Sequence, residues 1–379
     1  MSKPADIFEC FVNSFIHPAR IKVRQNKMKI ILYICLNLSL IPAFPLKGQN
    51  DSINLADFIG DHSSILFDSN QLLEATLRFD ITRLSRTRQT NDNQEALITY
   101  YVPGSDTITR TVRLRARGNF RRNFCDFPPI RLNFRKDELP GDKFHGVDRI
   151  KLVTHCKAGN SDYVLREYLV YRIFNVLTDY SFRVRLMKIN YVNTRRPGRP
   201  FTEYAFLIEP VEFLTARTRS VEVTIPRLNQ KMMKPEHMDR VAIFSYMIGN
   251  YDWSVPGLHN LVALTLPLSG DPSLGIVVPY DFDYCGLVNT TYAIPPETLP
   301  IKTVRERLYR GICRDEETFR QRLEEFVQKK DDIYNLIDEF PYLGDRHKRD
   351  IKNYLGSFFR NIEGRNLILY SLLRECVNL

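Results

Sequence analysis

Thr109-Arg110-Thr111-Val112-Arg113-Leu114-Arg115-Ala116-Arg117 alternates apolar and polar side chains from Thr111 onward. A period of two is that of a β-strand, so Val112, Leu114 and Ala116 face a core while Thr111, Arg113, Arg115 and Arg117 face away from it. One-sided burial of this kind belongs to an antiparallel sheet. The strand runs into Gly118-Asn119-Phe120, a bend where glycine permits positive φ and the backbone can approach a ligand. Outward from it, residues 72–81 and 96–102 read as strands on either side of a polar turn. Residues 129–134, 149–153, 182–192 and 204–212 extend the sheet. Arg195-Arg196-Pro197-Gly198-Arg199-Pro200 is the hairpin turn between the last two.

Helical periodicity begins at residues 163–177, capped by Ser161 or Asp162, with Leu165, Leu169, Ile173 and Val176 as an apolar stripe. It dominates after Glu236, over 238–248, 316–329, 331–340, 347–360 and 365–373. A sheet-rich part (50–235) followed by a helix-rich part (236–379) predicts an α+β fold with a bilobal layout.

The 379 residues carry a formal charge of +10, largely from arginine. The clusters Arg113-Arg115-Arg117-Arg121-Arg122 and Arg195-Arg196-Arg199 suit phosphate-rich or acidic partners. Nucleic acid is disfavoured, because no recognition helix, zinc finger or RNA-binding signature accompanies them. Met28 and Lys29 precede an apolar run from Ile30 to Phe44, which has the form of a secretory signal peptide and is short for a membrane span. On this reading 1–27 is an upstream extension and 28–49 the signal. The mature chain is then exported to the periplasm, cell surface or beyond, with no stable membrane span. A buried N-terminal helix is the alternative. Export permits disulfides among Cys125, Cys156, Cys285, Cys313 and Cys376. Their placement suggests pairing Cys125 with Cys156 and Cys285 with Cys313, leaving Cys376 over, against free buried cysteines, and none has zinc-site spacing.

The candidate chemistry lies in a series of acidic groups. Asp252 sits in Gly249-Asn250-Tyr251-Asp252-Trp253, followed by His259-Asn260 and by Pro279-Tyr280-Asp281-Phe282-Asp283-Tyr284. The apolar strand 275–279 delivers Asp281 and Asp283 with Phe282 turned to the core. Phosphoryl transfer uses such a series: one carboxylate for the attacking hydroxyl, an Asn and a further Asp for a metal bound to phosphates. Two carboxylates held this close repel unless a cation or proton lies between them. Turn capping by the same aspartates is the plainer alternative. Lys151 on a strand and Glu167 on the next helix can form the pair that fixes a nucleotide phosphate, against a solvated Lys and a solvated Glu. Arg117-Gly118-Asn119 offers a charged fork and free backbone donors, against a simple turn.

Arg117-Gly118-Asn119, Phe127-Pro128-Pro129-Ile130-Arg131-Leu132-Asn133-Phe134, Arg149-Ile150-Lys151-Leu152, Leu165-Arg166-Glu167-Tyr168-Leu169-Val170-Tyr171, Asn250-Tyr251-Asp252 through Asn260, and Pro279-Tyr280-Asp281-Phe282-Asp283 together resemble the CotH-like, spore-coat-type atypical kinases. The resemblance covers roughly 113–286. It implies a bilobal protein-kinase-like fold and an ATP-dependent kinase using Mg²⁺ or Mn²⁺, with a protein or glycan hydroxyl as acceptor. Asp252 would be catalytic. Arg117, Asn119 and Lys151 would hold the nucleotide, with Glu167 holding Lys151, and Asn260, Asp281 and Asp283 would hold the metal. The chain departs from the family pattern at Phe120-Arg121-Arg122, where small hydroxyl residues and Trp are usual, and at the shortened Tyr284-Cys285-Gly286. Two other classes fit the same residues: a catalytically silent module binding an acidic glycan or protein through its Arg-rich face, and a metal-dependent hydrolase or nuclease.

Overall fold

The alternating segments become β1 (Leu73–Phe79), β2 (Gln94–Tyr100), β3 (Ile108–Ala116), β4 (Ile130–Phe134), β5 (Arg149–Val153), β6 (Val184–Asn193) and β7 (Phe201–Ile208). They close into a barrel in the order β1-β2-β3-β4-β5-β7-β6. The computed structural model describes residues 65–101, 107–135, 142–196, 198–224, 227–266, 274–364 and 367–379, all within one compact unit. Neighbouring strands are antiparallel except β1 and β6, which run parallel from Leu73↔Met187 to Phe79↔Asn193. Closure leaves no edge strand with unpaired backbone groups. The interior is apolar: Leu77, Leu114, Ile130, Leu132, Leu152, Met187 and Leu207 are all buried there. Val112, Leu114 and Ala116 point inward, as their alternation requires.

Short helices α1 (Ile81–Arg86) and α2 (Phe120–Phe124) follow β1 and β3, and the long α3 (Ser161–Leu177) follows β5. The outer face of the barrel is divided. Val184, Leu186, Phe206 and Ile208 on β6 and β7 point outward into a second core with Leu165, Leu169 and Ile173 of α3. On β3, β4 and β5 the outward positions are Arg113, Arg115, Arg131 and Lys151.

After β7 the chain turns at Pro210 into α4 (Val211–Thr218) and the two-residue β8 (Val221–Glu222). The strand expected to continue to Glu212 therefore stops, because Pro210 opens the helix with extended backbone. The helical part comprises α5 (Pro235–Ile248), α6 (Glu316–Gln328), α7 (Lys330–Asp338), α8 (Asp345–Glu363) and α9 (Leu367–Glu375), with β9 (Leu261–Thr265) and β10 (Gly275–Pro279) between α5 and α6. β10, β9 and β8 form a three-stranded sheet in that order. Pro235 occupies the first turn of α5 and Gly249 ends it at φ 68°, the start and stop that each residue's backbone favours.

The bilobal protein-kinase-like expectation is overturned by the closed seven-stranded barrel. Alternation tells which way each strand faces but not which strand pairs with which. The parallel pairing of β1 with β6 closes the sheet on itself, and α3 seals its β6–β7 side.

Cys125 and Cys156 are bonded as expected. The expected Cys285–Cys313 bond is not formed: Cys313 pairs with Cys376, and Cys285 is a buried free thiol. The tail after α9 explains this. Val377 makes a parallel bridge to Ile312, with Cys313 N donating to Val377 O at 3.2 Å, so Cys376 and Cys313 are brought side by side. The signal-like run 28–49 and Pro197 of the hairpin turn lie outside the described residues. Among the described residues no helix is long and apolar enough to cross a membrane.

Candidate functional site

Asp252 lies in the loop that leaves α5. Asn250 Oδ1 accepts from the Asp252 backbone N–H at 3.0 Å. His259 Nε2 donates to Asp252 Oδ1 at 2.8 Å, and Asn260 Nδ2 donates to Asp252 Oδ2 at 3.0 Å and to its carbonyl at 2.9 Å. Asn260 takes up φ 52°, and its carbonyl accepts from Tyr280 N at 3.0 Å, which ties this loop to the end of β10. Arg310 Nη1 donates to the carbonyls of Tyr251 and Trp253. The Asp252 side chain stays 31% exposed, so the carboxylate is oriented and still open to a solute.

Asp281 and Asp283 follow β10, as expected, but in a turn and not in the strand itself. Asp281 has φ 64° and its N–H donates to Tyr171 Oη of α3 at 2.8 Å. Phe282 is fully buried between the rings of Tyr171 and Phe244, so it faces the core as expected. Asp283 is buried and its Oδ2 accepts from Tyr292 Oη at 2.9 Å.

The cation beside Asp283 is Arg121. It sits on α2, whose end is clamped to the segment after β5 by the Cys125–Cys156 bond and by Phe127 N donating to Cys156 O at 3.2 Å. Arg121 donates to Thr154 O at 2.7 Å and to Glu167 Oε2 at 3.3 Å, and its Nε lies 3.9 Å from Asp283 Oδ2. Burial opposes its charge, yet Tyr292, Glu167, Asp283 and Asp281 together hold it firmly protonated.

One guanidinium cannot neutralise two buried carboxylates, so a proton is retained between them. Burial pushes Glu167 up to about 8 against the pull of Arg121. Burial and the nearby Asp281 charge push Asp283 up to about 6, again against Arg121. Both carboxyls are thus held above the usual carboxylate range by burial and by neighbouring carboxylate charge, with Arg121 opposing. Among the described residues Glu167 Oε1 is buried without a hydrogen-bond partner.

Lys151 and Glu167, expected to pair, do not make an ion pair. Arg121 has taken Glu167, and Lys151 Nζ lies 4.3 Å from the centre of the Tyr280 ring. Burial and the Arg117 charge lower Lys151 to about 8, with Asp281 opposing. Asn119 begins α2 without a side-chain cap bond, and Gly118 has φ 88°, the conformation anticipated for that bend. Phe120, 44% exposed, stacks on Phe124 with ring centres 5.1 Å apart.

The structure therefore joins Asp281, Asp283, Glu167, Lys151 and Arg117 in one electrostatic neighbourhood, with Asp252 close enough to act on Asp283. Arg121, Tyr171, Tyr292, His259 and Arg310 belong to it as well. Of these, Arg121 was visible in the sequence only as a member of a basic cluster and as a departure from the family pattern, and His259 only as the neighbour of Asn260. Among the described residues no three His, Cys, Asp or Glu side chains form a metal-binding group. The expected set has two carboxylates, Asp281 and Asp283, and the amide oxygen of Asn260. These are hard oxygen donors of the type Mg²⁺ takes, and a divalent cation would relieve the repulsion between Asp283 and the nearby Asp281 charge.

No protein-family model matches the chain, and no curated protein matches it in sequence. The resemblance to CotH-like kinases rests on the quoted residues alone.

Proposed function

We propose that the chain is an exported phosphotransferase that uses ATP with Mg²⁺ or Mn²⁺ to phosphorylate a hydroxyl group on a protein or glycan. The observation that carries this reading is Asp252. Its two oxygens are each fixed by one donor, from His259 and from Asn260, and it remains open to solvent. A carboxylate so held can accept the proton of an attacking hydroxyl. Lys151 and Arg117 supply positive charge for the donor phosphates, and Lys151, at about 8, keeps its proton at neutral pH. Asp281, Asp283 and Asn260 would hold the metal, which when bound neutralises charge on the phosphates. The two disulfides support an oxidising, exported setting.

A silent binding module is the second reading, favoured by Arg121. A buried guanidinium between Glu167 and Asp283 lets the carboxylates coexist without metal. Calorimetry of the chain from residue 50 with ATP or ADP, with and without Mg²⁺ or Mn²⁺, separates the two. Metal-dependent nucleotide binding is expected. Binding of an acidic glycan with no nucleotide binding under any metal would replace the first reading with the second.

A further inference from the structure

The outward face of β3, β4 and β5 carries two rows of side chains set directly opposite one another across the strands. In the first, Arg113 faces Asn133 and Asn133 faces Arg149. That row is balanced by carboxylates: Glu95 lies opposite Arg113 on β2, and Asp148 pairs with Arg149 at 3.3 Å. In the second, Arg115 faces Arg131 and Arg131 faces Lys151. Arg117 adds a further cation at the end of β3, its N–H donating to Pro129 O at 2.8 Å.

This second row has no such balance. Arg115 donates to the neutral Asn91 side chain, and among the described residues neither Arg131 nor Arg117 has a carboxylate within ion-pair distance. Side chains directly opposite on antiparallel strands stand about 4.5–5.5 Å apart at Cβ, where like charges destabilise the pair. Arg131 accordingly has its affinity for a proton lowered by burial and by Arg115, Arg117 and Arg149. The row ends at Lys151. Beyond it the next partner across the strands is the apolar Ile208, and the Asp281 charge acts on Lys151 itself. A file of cations thus runs across three strands and stops at the acidic site.

We propose that this row binds a linear polyphosphate chain and that its terminal phosphoryl group is presented at Lys151 to the site described above. The binding half of the proposal stands on the row alone, whereas the transfer half rests on the phosphotransferase reading. Arginine forks match phosphate oxygens two at a time, and a chain with regularly spaced charges meets the evenly spaced strands at several points. A nucleotide would use only the Lys151 end. In the transfer step the terminal P–O–P anhydride bond breaks and a P–O bond to the acceptor hydroxyl forms. The hydroxyl proton passes to Asp252, and the leaving group is polyphosphate one unit shorter.

The test uses the chain from residue 50, the Arg115→Gln/Arg131→Gln variant and three probes: short-chain inorganic polyphosphate, Mg²⁺–ATP and heparin. Polyphosphate should bind the parent at least tenfold more tightly than the double variant. The slope of log affinity against log salt should fall by about one for each phosphate that the variant no longer neutralises, while ATP affinity changes less than twofold. The double variant should melt no lower than the parent, because repulsion has been removed. Labelled polyphosphate should also phosphorylate an acceptor without nucleotide.

Equal polyphosphate affinity in parent and variant overturns the proposal, as does heparin bound more tightly than polyphosphate and lost in the same variant. Transfer from ATP with no polyphosphate binding overturns the proposal and leaves the phosphotransferase reading intact. Binding of polyphosphate through the row, with transfer from neither donor, refutes the transfer half and the phosphotransferase reading while upholding the binding half.

Discussion

Replacing Arg121 with Met keeps an apolar stem of similar length and removes the guanidinium that contacts Thr154 O, Glu167 and Asp283. Breaking a buried ion pair from one side costs about 3–5 kcal/mol, because the remaining charge is left in low dielectric. The two carboxylates can escape by taking up protons. Asp283 already stands at about 6 and Glu167 at about 8 with Arg121 in place. Both values are raised above those of the unfolded chain, so the stability tied to these protons is fully present below the unfolded values near 4 and is lost as pH rises through the folded ones. Loss of Arg121 raises both folded values further. The variant should therefore melt close to the parent at pH 5 and well below it at pH 8. At about 2 °C per kcal/mol for a domain of this size, the deficit at pH 8 is roughly 6–10 °C. Adding Glu167→Gln removes one buried acid and should recover part of that deficit at pH 8 and almost nothing at pH 5. Thermal melts of parent, single and double variants across this range by circular dichroism decide the matter. A deficit that is the same at pH 5 and pH 8 would show that packing, and not charge, is what Arg121 provides.

Asp252→Asn should leave Mg²⁺–ATP affinity nearly unchanged and slow phosphotransfer about 10²–10⁴-fold, while Asp283→Asn and Lys151→Met should weaken nucleotide binding as well. Calorimetry beside autophosphorylation reads both, and unchanged transfer in Asp252→Asn refutes its role. Non-reducing peptide mapping should find Cys125–Cys156 and Cys313–Cys376. The Cys285 thiol, pushed up to about 12 by burial, should resist alkylation until the chain is unfolded. Loss of the Cys313–Cys376 bond, which spans 63 residues, should cost about 4 kcal/mol on a loop-entropy basis, read as a lower denaturant midpoint. Gly249→Ala places a methyl group against Tyr354 Oη and the Val304 carbonyl at a residue with φ 68°. It should destabilise by about 2–4 kcal/mol, whereas Gly344→Ala, with open space around it, should melt with the parent.

The strands were legible because each has one wet and one dry face: Val112, Leu114 and Ala116 against Arg113 and Arg115 repeat every two residues. The α3 stripe was legible for a similar local reason. Closure of the barrel was not, since the backbone pairing of Leu73 with Met187 leaves no mark on either residue's chemistry. The disulfide to Cys376 was hidden in the same way, depending on where the chain end lies after α9. At the site the acids and Lys151 could be found from their order, but their partners could not. Phe120-Arg121-Arg122-Asn123-Phe124 has the composition of an exposed turn, and only the clamp at Cys125 turns Arg121 inward to claim Glu167.

The parallel union of β1 with β6 also sets a timetable for folding. Leu73 meets Met187, so more than a hundred residues must be present before the first strand gains its second neighbour. Until then β1 and its hairpin partner β2 expose a row of unsatisfied amides and carbonyls, the state in which strands pair wrongly with other chains. Contacts so distant along the chain slow folding. A truncation ending before Val184, which removes β6, should therefore aggregate even though every earlier strand is intact.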